Sequence, residues 1–318
     1  LAVFKRKSHY LKKSLHLQPK INYENMKSNV NQILIPMDFS DQALIALDQS
    51  YNLAQFYNAE LTLLYVIEES GALSRIFSRS FDEAAMKKEV EDKLHELAKE
   101  TEKKKKVKVN TVVARGSVYE KILEVSDMIS AKMIIMGSNG TVGIRKRFIG
   151  SNALRVVRES GCPVITIKGK HHREGAKNIV MPIDLSKETR EKVNKAIELG
   201  KLYGSTIRVV SVLFSLDEFV VNKLTRQMDQ VKAFIQKAGV KCTAEMIKAI
   251  KGDESLSQAI VDYSNKVDAD LIMIMTQQES DTTPLFVGST AQGIINGSDI
   301  PVMSIVPTTR REAAISSY

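Results

Sequence analysis

At 318 residues, with 43% hydrophobic and 26% charged side chains, the chain has the makeup of a globular protein and exceeds the length of one usual core, so two domains are expected. No apolar run approaches the roughly 20 residues needed to cross a bilayer, and the amino terminus lacks the apolar core and cleavage site of a secretory signal, which excludes a membrane span and favours the cytoplasm. The net charge of +9 is concentrated in residues 1–29, where seven lysines and arginines face Glu24 alone; the remaining body, at +3, is close to neutral, and no specific nucleic-acid partner is expected.

The tail at 1–29 reads as a disordered or non-native leader, with a phosphate-contacting arm as the alternative. The apolar run at 31–37 predicts a strand, and Ser40 suits the N-cap of an amphipathic helix over 40–57. Asn58 stands where that helix would end in a left-handed residue. A second strand is predicted over 60–67 and a helix over 80–104, whose end, Lys103 to Lys106, is a solvated terminus with favourable charge for the helix dipole. Strand 107–114, helix 117–130, strand 132–136, helix 151–160 and strand 163–168 complete the first half.

The second half repeats the first. NQILIPMDFS, ending at Ser40, matches KNIVMPIDLS, ending at Ser186, at an offset of 146 that pairs Pro36 with Pro182 and Asp38 with Asp184. Farther along, Gly150-Ser151 matches Gly288-Ser289 and Pro163-Val164 matches Pro301-Val302 at an offset of 138, so the second copy is shorter in its middle. Gly204 corresponds to Asn58. Strand-length and helix-length segments alternate within each copy, the pattern of a parallel sheet covered on both faces. The expected organisation is therefore an α/β tandem: extension 1–29, domain 30–168, linker 169–177, domain 178–307 and tail 308–318. The strands at Pro163 and Pro301 come last in each copy, and pairing these two edges would give the domains an internal two-fold arrangement. An edge covered only by the linker is the alternative.

Between strand 132–136 and helix 151–160 lie Gly137, Gly140 and Gly150-Ser151. Small residues at a strand-to-helix turn let backbone amides approach an anion, and the pattern reads as a phosphate cradle. In open α/β sheets ligands settle beyond the carboxyl ends of the strands, where the winding reverses; strands one and four as neighbours would bring Asp38 and Gly137 to one crevice. The bland reading of Asp38 is a carboxylate that only steadies a helix start. Arg145, Lys146 and Arg147 between the glycine pairs are available to phosphates, though most such runs are simply solvated. A phosphoacceptor role for Asp38 lacks the neighbouring acidic pair that holds its metal.

Pro36-x-Asp38-x-Ser40, Val66 at the end of the second strand and Gly137-x-x-Gly140-x9-Gly150-Ser151 together resemble the universal stress protein family, over nearly the whole chain after residue 29. The resemblance implies two tandem doubly wound domains, each a five-stranded parallel sheet in the order 3-2-1-4-5. It further implies ATP or another adenine nucleotide, with or without Mg, and a role in stress-response regulation. Carried over, Pro36 and Asp38 meet the adenine or ribose side and Val66 the base through its backbone. Met136, Gly137, Ser138, Asn139 and Gly140 line the ribose and phosphates, and Gly150, Ser151, Asn152 and Ala153 present amides and a hydroxyl. Asn139 stands where histidine is frequent, and Ala153 where a hydroxyl residue is frequent. In the second copy Met275 and Gln278 replace the first two glycines, so one nucleotide per chain is expected, held by the first domain. The family also pairs through last strands, and a homodimer is left open.

Of the five histidines, His9 and His16 are in the tail, His171 and His172 in the linker and His95 in a charged helix, which argues against a histidine triad or metal centre. The crevice offers no evident base or positioned arginine, so at most slow ATP hydrolysis is expected. A nucleotide-independent interaction scaffold is the main alternative, and a phosphotransferase a more distant one.

Overall fold

The computed structural model describes residues 30–68, 83–138, 149–169, 175–184, 189–213, 217–248, 255–276 and 287–306. Asn139, Gly140, Arg145 to Arg147, His171, His172, Ser186 and Gln278, with the terminal segments 1–29 and 308–318, lie outside the described residues. In the first half, β1 (Asn31–Pro36), β2 (Ala59–Ile67), β3 (Val109–Arg115), β4 (Met133–Gly137) and β5 (Val164–Ile167) alternate with α1 (Asp41–Phe56), α2 (Glu83–Lys105), α3 (Val118–Met128) and α4 (Ser151–Glu159). The second half repeats this as β6 (Asn178–Pro182), α5 (Thr189–Tyr203), β7 (Thr206–Leu213), α6 (Glu218–Lys237), β8 (Lys241–Lys248), α7 (Leu256–Lys266), β9 (Leu271–Met275), α8 (Ser289–Gly297) and β10 (Val302–Ile305).

All ten strands form one sheet in the order β3-β2-β1-β4-β5-β10-β9-β6-β7-β8. Each half is parallel and wound 3-2-1-4-5. The halves meet where β5 and β10 pair antiparallel, with Ile165 opposite Met303 at the centre. Both strands are four-residue runs buried throughout, which fits a central position rather than an edge.

Both faces of the sheet are covered, and β1 buries apolar side chains toward each: Ile33, Leu34 and Ile35 are all fully buried. One face packs Ile33, Ile35 and Leu61 against Ala46 of α1 and Leu94 of α2, and runs on through Ile179 and Val209 to Val193 of α5 and Leu224 of α6. The opposite face of the second half packs Val180 and Val210 against Tyr263 of α7.

Local signals in the sequence have visible structural counterparts. The Ser40 hydroxyl accepts the Ala43 amide at 3.2 Å and caps α1. Asn58 (φ 45°) and Gly204 (φ 62°) both turn left-handed after their helices, as the duplicated pattern anticipated. Among the described residues no helix is long and apolar enough to cross a membrane, and no group of three or more His, Cys, Asp or Glu is arranged to hold a metal ion.

Candidate functional site

A cavity of about 560 Å³ opens beyond the carboxyl ends of β1, β2 and β4, at the point where the winding of the first half reverses. Every residue expected at the site that falls in the described chain lines it: Pro36, Asp38 and Val66, then Met136 to Ser138, then Gly150 to Ala153. Asn139 and Gly140 belong to the stretch that is not described. Tyr65, Glu68, Ala43, Val118 and Ile122 line it too, and sequence reasoning missed them. Tyr65 could have been found beside Val66. Val118 and Ile122 stand four apart on α3, a spacing that shares one helix face but that equally marks ordinary core.

The floor is built by the sheet. The Met37 amide reaches the Leu64 carbonyl at 2.8 Å and extends the β1–β2 ladder by one bond past Pro36. In a strand, peptides two residues apart point to the same side, so Val66 turns its N–H and C=O toward the side that β1 has vacated. That peptide is suited to read the donor and acceptor edge of a planar base.

At the exit of β1 the chain makes a tight bend. The Asp38 carboxylate accepts the Ser40 amide at 3.0 Å, and Phe39 between them is left-handed at φ 59°. A bulky residue in that region is strained, and the ring of Phe39 is anchored 5.8 Å from Tyr65. Asp38 thus steadies the start of α1 and also faces the cavity.

Another side of the cavity is the amino-terminal end of α4. Its N-cap, Gly150, carries no side chain to satisfy the first amides, so Ser151, Asn152 and Ala153 present uncapped N–H groups and the positive end of the helix. Gly150 itself donates to the Ser138 carbonyl at 2.7 Å. Gly137 is required by close approach and not by a left-handed backbone: a Cβ there would lie 2.9 Å from Gln42 Cβ and 3.3 Å from the Ala43 nitrogen.

The corresponding crevice of the second half is about 160 Å³. Gly288 caps α8 and donates to the Thr276 carbonyl at 2.9 Å, as Gly150 does to Ser138, but Met275 stands at the position of Gly137. Lys192 also lines this crevice. It is 7% exposed and donates from Nζ to the Pro182 carbonyl at 2.5 Å, where the first copy has the methyl group of Ala46. A buried ammonium group therefore stands at the exit of β6, where the first half has a small apolar core side chain.

The chain matches the model of the universal stress protein family twice, over residues 29–168 and 175–305. The universal stress protein MJ0531 of Methanocaldococcus jannaschii is 30% identical over 149 residues, 46% of this chain and 85% of that protein. A universal stress protein from Archaeoglobus fulgidus superposes with a TM-score of 0.69 at 20% identity, covering 87% of this chain and 96% of its own. A universal stress protein from Archaeoglobus fulgidus in complex with dAMP matches at 23% identity and a TM-score of 0.35, covering 40% of this chain and 96% of its own. With both halves matched, the chain belongs to the universal stress protein family.

Proposed function

We propose that the first domain binds ATP or another adenine nucleotide and that the chain acts as a cytoplasmic stress-response regulator, with the second domain serving mainly as its structural partner. The observation that carries this reading is the crevice of about 560 Å³ with the uncapped amides of α4 at one side and the Val66 peptide at the other. That volume lies within the roughly 300–1,000 Å³ of small-molecule sites, whereas the second crevice, at about 160 Å³, falls short of it. Phosphates suit the helix end, where N–H groups and the dipole favour negative charge. A base suits the Val66 peptide and the flanking Tyr65. Mg²⁺ would enter on the phosphates, since it retains several waters and needs no dedicated protein cage.

A second reading, a nucleotide-independent scaffold, draws support from one observation. The Ser138–Gly150 contact recurs as Thr276–Gly288 in the half with the smaller crevice, which supports a structural role for this part of the motif. Titrating nucleotide-stripped protein with ATP separates the two readings. One adenine nucleotide per chain is expected; no binding at millimolar ATP favours the scaffold, and two equivalent sites would remove the assigned roles of the domains.

A further inference from the structure

The strand pairing is not the only connection between the halves. The side chain of Asn296, in the last turn of α8 in the second domain, accepts at its Oδ1 a hydrogen bond of 2.7 Å from the backbone amide of Ile149. Ile149 immediately precedes Gly150, the residue that opens the amide cradle of the first domain. The backbone carbonyl of the same Asn296 accepts a hydrogen bond from Lys168 Nζ, just beyond β5. One residue of the second domain therefore grips the first domain at the entry to its crevice and at the end of its last strand.

The seam around this residue is tight. Lys168 is 15% exposed and lies 3.9 Å from Asp299, and a Cβ on Gly169 would collide with the Asp299 carbonyl, so the backbones approach closely. The contact is also one-sided. At the offset of 138, Asn296 corresponds to Arg158, and Arg158 pairs with its neighbour Glu159. The second domain thus brings to the first an amide acceptor whose counterpart in the repeat is a charged group engaged elsewhere.

We propose that Asn296 is a positioning residue for the first domain's site: it fixes the Ile149 peptide and, through it, the orientation of Gly150 and the amides that follow. This rests on the adenine nucleotide reading of that crevice. A backbone held before ligand arrives loses less freedom on binding, so affinity rises without any contact between Asn296 and the nucleotide. The second domain, whose own crevice is the smaller one, then acts on the first through a side chain.

The test uses the full chain with Asn296→Ala and Asn296→Asp. Alanine is the better helix former, so the first variant is expected to fold, while aspartate keeps an acceptor oxygen in the same place. In nucleotide-free protein, hydrogen exchange at the Ile149 amide is expected to quicken about tenfold in Asn296→Ala and to stay near wild type in Asn296→Asp. ATP affinity is expected to fall about fivefold in the alanine variant and to be retained by the aspartate variant at high ionic strength, where its added charge is screened. Unchanged exchange at Ile149, or faster exchange with unchanged affinity, overturns the inference. Wild-type protein that binds no ATP overturns instead the reading on which it rests, and the positioning role falls with it.

Discussion

Gly150 donates its amide to the Ser138 carbonyl at 2.7 Å, closing the turn between β4 and α4 at the mouth of the crevice. The same carbonyl would lie 3.2 Å from a Cβ built on Gly150, so the contact and the absence of a side chain are linked. Gly150→Ala should lower stability by about 1 kcal/mol, because alanine is a poor N-cap and crowds that oxygen. A denaturant midpoint equal to wild type would show that the turn can yield.

Gly137 answers to a different constraint. A side chain there meets the first turn of α1, with Gln42 Cβ at 2.9 Å, so Gly137→Ala should destabilise the chain by about 1–3 kcal/mol through overpacking. Copying Met275 into this position would therefore disturb the fold as well as the crevice. The prediction is checked by chemical denaturation in the absence of nucleotide, and a neutral result would mean that α1 shifts without cost.

Glu60 on β2 is the centre of a polar cluster away from the crevice. It accepts from Lys108 at 2.9 Å, Asn110 at 2.8 Å and Gln32 at 3.2 Å. Burial alone would raise its pKa, but these three donors together hold it below the ordinary glutamate value. A carboxylate with a lowered folded pKa adds stability above its unfolded pKa of about 4.3 and loses that stability as pH falls through the folded value. Glu60→Gln should therefore cost about 1 kcal/mol at neutral pH, with the gap to wild type closing in acid. A gap that does not change with pH would contradict the assignment.

Cys242 is buried on β8, and desolvation pushes its thiol up to about 11, against a small opposing pull from Lys232. The thiolate is the reactive form, so at neutral pH Cys242 should resist alkylation in the native chain and react after unfolding. Rapid native labelling of Cys242, read by mass spectrometry, would show that β8 opens readily.

The fold was legible because its signals are local. Apolar runs of strand length set β1, β2 and β4 to within two residues of their observed ends, and Asn58 and Gly204 announced two left-handed helix ends through composition alone. The duplication supplied the two-domain organisation, and the order of strands within each half came from the family resemblance. What periodicity cannot carry is contact between distant side chains. Lys192 buried beside the second crevice and Asn296 gripping Ile149 across 147 residues left no pattern along the chain. Gly137 shows an intermediate case: the sequence marked it as a place where backbone approaches a ligand, whereas Gln42 shows that a side chain there would also meet the protein's own first helix. Phe39, left-handed although bulky, ran against local propensity, and its anchor is a ring on the next strand.

The central claim is tested most directly by residue-resolved hydrogen exchange on the full chain with and without ATP. The account predicts slower exchange at Val66 and at Ser151 to Ala153 when ATP is added, and no change at Ser289 and Thr290 at the matching end of α8. Unaltered exchange at the first set, or protection of the second, would contradict it.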